Sequence, residues 1–354
     1  MGKLSRREFM GTAAMAGVAL SGMGDSFAGA QALKSAADWD EKNGPAPAAP
    51  DAPQARPLGP GAIPIIDAHI HLFDTTRPQG VPYPDKDNAK LYMPALPDRY
   101  RKLTRRLGVV GAIEIEASPW IEDNLWVLDI AAKDTIVVGM VGDLEPGKPE
   151  FPEYLERYHR NPLFRGIRYG NLWGRDIAVE LNKPEFVQGL KLLAQADLVL
   201  DTANPRPALI ADMLRVTDKV PNLRVVIDHL PQLDPPSESP AREQYERDLR
   251  ELAKRPQVYV KISEVLRRVN GEVPTDLNFY RPRLDQLFGI FGEDRLVYGS
   301  DWPNADLWAP FETGLRLVRE YFAGKGHAAA EKYFWKNSVA AYRWIHRDPS
   351  QPKA

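Results

Sequence analysis

The sequence has no cysteine among its 354 residues and only six histidines. Without cysteine there are no disulfides, iron–sulfur clusters, thiol nucleophiles or cysteine-ligated zinc. Neither sign of charge dominates, because 46 Lys and Arg residues oppose 48 Asp and Glu residues for a formal net charge of −2. This balance excludes the strongly basic surface typical of nucleic-acid binding. Any transition metal must therefore be held by His, Asp and Glu side chains.

The N-terminal apolar run is too short for a membrane-spanning helix, which needs about 20 residues. A basic start precedes a weakly hydrophobic run at residues 11–20, and the letters S-R-R-E-F-M at residues 5–10 resemble the twin-arginine export motif. A-G-A at residues 28–30 provides a cleavage site. Residues 1–30 are therefore predicted to be a twin-arginine signal peptide, cleaved near Ala30 after the twin-arginine translocase delivers the protein to the periplasm. A membrane anchor is the alternative.

A regular alternation of strand-like and helix-like segments begins after a Pro- and Ala-rich stretch. Residues 31–62 have little apolar surface to bury and are predicted to form an extended linker. The β-rich runs that follow are 65–69, 109–115, 136–141, 164–168, 198–201, 224–227, 258–262 and 296–298. Eight β/α units predict an α/β fold, a single (β/α)₈ TIM barrel over residues 63–345 with a C-terminal tail at 346–354. A doubly wound open sheet is the alternative, but no G-x-G-x-x-G follows the first strand.

Two histidines stand at the end of the first predicted strand. In a barrel of this kind the reactive groups lie where the strands end. The strand closes with D-A-H-I-H, which contains His69 and His71. Because these residues are two apart, both rings point to one face of the strand and make half of a zinc-type site. A pair of structural histidines is the alternative.

The sixth and eighth predicted strands end in further polar groups. The sixth runs into I-D-H-L-P with His229, and the eighth into S-D-W-P with Asp301. Asp301 beside the two first-strand histidines would complete a His/His/Asp metal-ligand set. It is equally suited to act as general base toward water, with His229 polarising a scissile carbonyl. Each motif taken alone is more often structural.

Other candidates for substrate contact lie near the same strand ends. Glu114 and Glu116 share one face of the second strand, where buried carboxylates are costly unless they are paired or coordinating. Glu116 is nearer the strand end and is predicted to bind substrate; an extra metal ligand or a salt bridge is the alternative. Tyr83, in the long loop after strand one, and Trp302, beside Asp301, are predicted to line a pocket for a ring-shaped substrate. Surface packing and a structural tryptophan are the alternatives.

Four motifs occur in order along nearly the whole predicted barrel: D-x-H-x-H-x-F, G-I-R, D-H-L-P and S-D-W-P. Together they resemble the amidohydrolase-related family, whose fold is a metal-dependent-hydrolase barrel. The nearer branch holds 2-pyrone-4,6-dicarboxylate lactonase and sugar-lactone hydrolases such as L-fuconolactonase. The resemblance implies that His69 and His71 are metal ligands and that Asp301 activates water. It also implies that Arg168 grips a substrate carboxylate, a task that suits a guanidinium fork; an ion pair to a neighbouring carboxylate is the alternative.

The sequence also departs from this family pattern. The fourth strand has no lysine to be carbamylated, which argues against a two-metal site, and the fifth ends L-V-L-D-T without the histidine of the decarboxylase-like members. Either Asp201 substitutes as an oxygen ligand, or the metal is weakly bound, or there is none. One divalent metal, Zn²⁺, is predicted, with metal-free catalysis as the alternative.

The predicted activity is that of a hydrolase that opens a lactone or related ester with water activated at the barrel rim. The alternative on the same fold is a metal-dependent, non-oxidative decarboxylase of an aromatic or unsaturated acid. A third hypothesis is a binding protein for sugar acids without turnover. The expected partner is a small-molecule substrate, with no nucleic acid and no stable membrane anchor. The sequence leaves the substrate and the oligomeric state open.

Overall fold

The computed structural model describes residues 61–203 and 206–353. The predicted signal peptide and all but the last two residues of the predicted linker lie outside the described residues. Within the described part, eight parallel strands follow one another in a single sheet in sequence order. They are β1 Ile65–Ile70, β2 Val109–Ile115, β3 Val137–Gly142, β4 Phe164–Arg168, β5 Val199–Asp201, β6 Arg224–Ile227, β7 Val258–Ser263 and β8 Leu296–Gly299.

The sheet closes on itself where the first and last strands end. Ile70 forms a parallel bridge with Trp302. The backbone N–H of Asp301 donates to the carbonyl of His69 at 2.9 Å, and that of His71 to the carbonyl of Trp302 at 2.8 Å. The prediction of a (β/α)₈ barrel is therefore confirmed, and each predicted strand lies within one residue of its observed bounds. Closure also brings the residues after β1 and β8 side by side.

Helices lie between successive strands. Their apolar residues recur every three to four positions, so each helix has one apolar face. In the helix Pro184–Gln195, for example, the buried side chains Phe186, Leu190 and Leu193 share one face. The described α-helices are α1 Pro97–Thr104, α2 Asp123–Lys133, α3 Phe151–His159, α4 Ile177–Glu180, α5 Pro184–Gln195, α6 Pro207–Lys219, α7 Ala241–Ala253, α8 Leu277–Phe291, α9 Phe311–Ala323, α10 His327–Glu331 and α11 Asn337–Tyr342. Over the described residues, none has the length and apolar character needed to cross a membrane.

The C-terminal segment covers the end of the barrel where the strands begin. The N–H of Ile345 donates to the carbonyl of Val138 in β3, and Arg224, at the start of β6, donates to the carbonyl of Ala341. Farther on, the side chain of Gln351 is buried and donates to the carbonyl of Val110 in β2. The predicted C-terminal tail thus packs on the barrel. The candidate site lies at the opposite end of the barrel, where the strands finish.

Candidate active site

Three of the residues predicted from the sequence meet at the seam between β1 and β8. Nε2 of His71 lies 3.2 Å from Nε2 of His69 and 3.2 Å from Oδ1 of Asp301. Nε2 of His69 lies 3.6 Å from the same Asp301 oxygen. His69 and Asp301 have no exposed surface, and His71 is 3% exposed. We call His69, His71 and Asp301 the ligand triad.

The local backbone explains why Asp301 reaches the histidines. Three strands are followed, within two residues, by a residue other than glycine in the left-handed region, namely His229 after β6 (φ 45°), Glu264 after β7 (φ 49°) and Asp301 after β8 (φ 62°). Such backbone conformations cost free energy and cluster at functional sites. Asp67 in β1 is linked to the residues after β8 and to α1. Its carboxylate accepts hydrogen bonds from the Ser300 N–H at 2.8 Å and from the Tyr100 hydroxyl at 2.7 Å.

The Nδ1 atoms of the two triad histidines have different partners. His71 has Nδ1 2.7 Å from the carbonyl of Ile115, so this nitrogen carries the hydrogen and Nε2 offers a lone pair. Nδ1 of His69 lies 3.1 Å from Nζ of Lys261 and 3.4 Å from Oδ1 of Asp228. Burial and the Lys261 charge hold the pKa of His69 well below its usual value, so the ring is neutral.

The spacing of the triad fits a divalent metal ion. Tetrahedral zinc with bonds of about 2.0–2.1 Å places neighbouring ligand atoms about 3.3 Å apart. The three separations in the triad are 3.2, 3.2 and 3.6 Å. Among the described residues, these three form a group of metal-ligand type whose atoms all lie within 4.8 Å of one another. Two nitrogens and a carboxylate oxygen are also the donor set that zinc accepts.

His229 lies on the other side of Asp301. Its Nε2 is 3.8 Å from Oδ1 of Asp301, and its ring centre is 4.4 Å from that of His69. Nδ1 of His229 is 2.9 Å from the hydroxyl of Ser263, the last residue of β7. Oε2 of Glu264 lies 3.9 Å from the same nitrogen. The structure therefore brings the predicted polarising histidine next to the predicted general base. It adds Ser263 at the end of β7, which contacts the ring, and Glu264 just after that strand.

Below the triad lies a buried group of charges that we call the interior network: Lys261, Asp201, Asp228 and Tyr342. Nζ of Lys261 is 2.8 Å from Asp201 and 2.9 Å from Asp228. The Tyr342 hydroxyl donates to Asp201 at 2.6 Å. Burial and the neighbouring Asp228 raise the pKa of Asp201 well above its usual value, whereas Lys261 and His69 overcome burial and hold the pKa of Asp228 well below.

The interior network bears on the predicted role of Asp201. Its Oδ2 is engaged by both Lys261 and Tyr342. Among the described residues, none of the metal-ligand groups includes Asp201. The fifth strand therefore gives no replacement ligand for the missing histidine, and its carboxyl instead meets the lysine of β7.

Arg168 lies at the end of β4 with all three nitrogens directed at protein oxygens. Nε donates to the carbonyl of Thr202 at 3.2 Å, Nη1 to that of Glu116 at 3.1 Å and Nη2 to the carboxylate of Asp228 at 3.3 Å. Its side chain is 9% exposed. These are the contacts of the structural alternative, an ion pair with a neighbouring carboxylate. That Arg168 holds a substrate carboxylate stays a prediction.

Glu114 and Glu116 both line a cavity between the loop after β1 and the ends of β2 and β3. Inside, the cavity has room for little more than one water molecule, and helix α2 supplies part of its wall through Asn124 and Trp126. Glu116 has Oε1 2.6 Å from Nε1 of Trp173 and Oε2 4.0 Å from Nη1 of Arg168. Burial, with the nearby Asp143, raises the pKa of Glu116 to about 7, and burial with Glu116 raises that of Glu114 well above its usual value. We call this cavity the glutamate pocket.

Tyr83 joins the glutamate pocket to the triad. The side chain lines the pocket, and its hydroxyl donates to Oδ1 of Asn304 at 2.6 Å. The Asn304 amide donates in turn to Oδ1 of Asp301 at 3.1 Å. Trp302 is fully buried, with its ring centre 5.1 Å from that of Tyr100, which is the packing expected of a structural tryptophan. A substrate contact by either Tyr83 or Trp302 stays a prediction.

Sequence reasoning assigned no role to Lys261, Ser263, Glu264, Asn304 or Trp173. For Lys261 a signal was present, because a lysine inside the apolar run V-Y-V-K-I-S of a central strand must find carboxylates in the barrel. Ser263 is the last residue of β7, and the other three follow strand ends or lie in the connections between elements. Nothing in the local sequence shows which way such side chains point.

Fold and site together define a barrel hydrolase with histidines after its first strand and a carboxylate after its last. The amidohydrolase family model matches residues 66–344 of the chain. An L-fucono-1,5-lactonase of Burkholderia ambifaria is 31% identical over 251 residues, which cover 70% of this chain and 82% of that protein. The chain belongs to the amidohydrolase family, as its motifs predict, and the prediction of a hydrolase is confirmed.

Solved structures share the same fold. An amidohydrolase of Burkholderia multivorans with bound zinc superposes with a TM-score of 0.69 at 22% identity, covering 80% of this chain and all of that one. A probable 2-pyrone-4,6-dicarboxylic acid hydrolase of Acinetobacter baumannii gives a TM-score of 0.60 at 18% identity, covering 79% and 99% of the two chains. At these identities the likeness shows a shared barrel.

Proposed function

We propose that this protein hydrolyses a lactone or a related carboxylic ester, with Asp301 as the general base. The observation that carries the proposal is the convergence of three imidazoles on one carboxylate oxygen. His71, His69 and His229 have their Nε2 atoms 3.2, 3.6 and 3.8 Å from Oδ1 of Asp301. The lactonase name of the Burkholderia ambifaria relative supports the substrate class.

The proposed reaction has two stages, addition of water and ring opening, and Asp301 transfers one proton in each. Asp301 removes a proton from water while the water oxygen adds to the carbonyl carbon, and the carbonyl oxygen becomes negative. His229, held by Ser263, directs its Nε2 side toward this region and polarises that oxygen. When the tetrahedral species collapses, the ring C–O bond breaks and Asp301 returns the proton to the departing alkoxide. The product is a hydroxy acid.

The ligand triad would hold one divalent metal, and we propose Zn²⁺. When bound, the ion supplies Lewis acidity toward the carbonyl and the water. Asn304 keeps the shared oxygen of Asp301 in place with its amide, and Ile115 fixes the ring of His71 through Nδ1. Both contacts orient the donors whether or not an ion is present.

A decarboxylase on the same barrel is the second candidate. Its strand-five histidine is replaced here by Asp201, which faces Lys261 and Tyr342. A binding protein without turnover has no need for a buried general base among three imidazoles. Lactone hydrolysis therefore accounts for more of the site.

The N-terminal motif supports export. We propose that the chain crosses the inner membrane through the twin-arginine translocase and works in the periplasm after cleavage near Ala30. Expression of the full chain, followed by fractionation and N-terminal sequencing, tests this directly. The mature protein should begin near residue 31 in the periplasmic fraction, and Lys replacement of both Arg6 and Arg7 should retain it in the cytoplasm.

The activity test is a panel of lactones, esters and aromatic acids offered to the purified protein. Ring opening is followed by proton release and by chromatography of the hydroxy acid, and decarboxylation by release of CO₂. We expect turnover of at least one lactone and no CO₂ from any acid. Turnover of acids alone would replace the proposal with the decarboxylase, and binding without any turnover would replace it with the binding protein.

Metal content is measured separately, by elemental analysis of protein purified without chelator. The triad geometry predicts close to one equivalent of zinc for each chain. Less than about 0.1 equivalent, in a protein that still opens lactones, would contradict the zinc assignment and favour metal-free catalysis, in which the histidines polarise the substrate themselves.

A further inference from the structure

The reacting groups around the ligand triad are closed off from solvent. His69 and Asp301 have no exposed surface, and His71 and His229 are 3% and 5% exposed. The proposed reaction needs a carbonyl group within hydrogen-bond distance of both Asp301 and His229. A substrate therefore cannot meet Asp301 until a segment that covers the strand ends moves aside.

The loop after β1 is joined to the barrel at one narrow neck. Phe73 and Ala95 exchange two backbone hydrogen bonds of 3.1 and 2.8 Å, so residues 74–94 leave the barrel and return to it at the same point. Past this neck the backbone–backbone hydrogen bonds are local, as from Tyr92 to Asn88 at 2.8 Å. A loop whose ends are joined can change its position through a few residues at the neck, with the flanking strands left in place. We call residues 74–94 the β1 loop.

Two side-chain contacts hold the β1 loop across the barrel rim. Nη2 of Arg77 lies 2.6 Å from Oδ1 of Asp123 in α2, and the guanidinium is 4.8 Å from the ring centre of Trp126. Farther along the loop, the Tyr83 hydroxyl donates to Oδ1 of Asn304 at 2.6 Å. Helix α2 follows β2 and Asn304 follows β8, and these strands are the two neighbours of β1 in the barrel. The β1 loop therefore crosses the rim above the end of β1, where the triad lies.

Little space remains beneath the β1 loop while these contacts are made. Residues 81–83 form part of the wall of the glutamate pocket, whose interior admits little more than one water molecule. The ring of Tyr83 packs on Phe73, next to the neck, with 6.1 Å between ring centres. The same tyrosine is linked through Asn304 to Asp301. Displacement of the β1 loop would thus widen this cavity and release Asn304, and its return would restore both.

We propose that the β1 loop is a lid, which opens about its neck to admit substrate and closes through two latches. The latches are the Arg77–Asp123 ion pair and the Tyr83–Asn304 hydrogen bond, and the structure shows the closed state. Closure holds Asn304 in place on Asp301, so the general base is fully held only when the lid is shut. The proposal rests on the triad as the reacting site proposed above, and it holds for whichever substrate meets the triad.

Thiol labelling measures opening of the lid directly, because the chain has no cysteine of its own. Glu114→Cys places one thiol in the wall of the glutamate pocket, at a position that is 1% exposed. Iodoacetamide should modify it at least about 100-fold more slowly in the folded than in the urea-unfolded protein, because the thiol reacts only from the open state. Arg77→Met should speed modification at least about tenfold, since a hydrogen bond between charged groups is lost from the closed state alone. Tyr83→Phe should speed it roughly threefold.

Arg101→Met is the matched control for the labelling experiment. It breaks an ion pair with Asp134 whose side chains are as buried as those of the Arg77 latch, but which lies outside the β1 loop. The control should leave the labelling rate unchanged, which separates opening of the lid from a general loss of stability. Ser118→Cys, a conservative replacement in the same wall, takes the place of Glu114→Cys if that variant does not fold. A labelling rate that neither latch variant changes, or a thiol that reacts as fast in the folded as in the unfolded protein, would overturn the lid.

A reversible crosslink tests whether the lid must open for turnover. Arg77→Cys and Asp123→Cys are combined and joined by a reducible bis-methanethiosulfonate reagent, and Arg77→Cys alone with the same reagent is the control. Turnover of the lactone that the parent hydrolyses fastest should fall at least about 100-fold on crosslinking and return on reduction. Undiminished turnover in the crosslinked protein would overturn the lid. If no lactone is hydrolysed at all, the hydrolytic function fails, and the labelling rates still decide on the lid because they need no substrate.

Discussion

Two buried groups of ionisable side chains connect to the ligand triad, and their carboxyls are paired with cations to very different degrees. On one side, the interior network sets Lys261 between Asp201 and Asp228, with contacts of 2.8 and 2.9 Å. Both sides keep buried carboxylate oxygens that accept no hydrogen bond, Oδ1 of Asp201 and Asp228 on the first and Oε2 of Glu114 and Glu116 on the other. The first side has cations in contact with its carboxylates, and the second has its nearest cation, Arg168, 4.0 Å away.

This difference shows which buried charges hold the site. Buried ions are stable in a protein when their partners surround them, and the removal of one partner is then costly. Lys261 and Asp228 both contact Nδ1 of His69, so the interior network fixes that ring. The glutamate pocket has no cation in such close contact, and burial raises the pKa of both its carboxyls.

The largest effect should come from breaking the interior network. Lys261→Met removes its only lysine and leaves Asp201 and Asp228 facing each other in the barrel. We expect a loss of roughly 3–5 kcal/mol in the free energy of unfolding, because an uncompensated buried charge remains. Urea denaturation monitored by circular dichroism measures it.

A double variant makes this test sharper. Adding Asp201→Asn to Lys261→Met removes one of the stranded carboxyls and should recover part of the lost stability. Lys336→Met, on an exposed side chain, is the matched control and should change little. A Lys261→Met protein as stable as the parent would contradict the account of the interior network.

A smaller effect is expected from the pH dependence of Glu116. Burial raises its pKa to about 7 in the folded chain from an ordinary value of 4.5. Between these values the folded state keeps a proton that the unfolded state loses, so stability falls as pH rises from about 4.5 to 7. Glu116→Gln removes this loss, so its free energy of unfolding should exceed that of the parent by at most about 3 kcal/mol across that window.

Thermal unfolding of both proteins from pH 4.5 to 8 provides the measurement. The advantage of Glu116→Gln should grow up to about pH 7 and then stay level. Glu251→Gln, which replaces an exposed carboxylate, should show no such gain. A stability difference that is flat across the whole range would mean that the pKa of Glu116 is not raised by folding.

The smallest effect is expected from breaking the hydrogen-bonded connection that runs from Tyr83 through Asn304 to Asp301. Tyr83→Phe removes the hydroxyl that holds Asn304, whose amide donates to Asp301. The loss of one hydrogen bond, about 0.5–1.5 kcal/mol, should lower kcat roughly 3- to 10-fold with little change in KM. Tyr92→Phe, in the same loop, is the control. A higher KM with unchanged kcat would instead show that Tyr83 contacts the substrate.

The sequence predicted the fold well because β/α alternation is a local pattern. Strand ends then located His69, His71, His229 and Asp301, since parallel strands bring their carboxyl ends to one rim. The sequence could not predict which partners the charged side chains contact. Whether Arg168 meets a substrate or Asp228, and whether Asp201 meets a metal or Lys261, depends on side-chain directions set by strands far apart in the chain.

The central claim is that Asp301 activates water for lactone opening. It is tested by the turnover of Asp301→Asn on the lactone that the parent hydrolyses fastest, with Asp306→Asn nearby as the control. The amide keeps the shape of the side chain but cannot accept the proton, so kcat should fall by at least about 1,000-fold while circular dichroism stays unchanged. A folded Asp301→Asn protein that retains kcat within about tenfold of the parent would contradict the account.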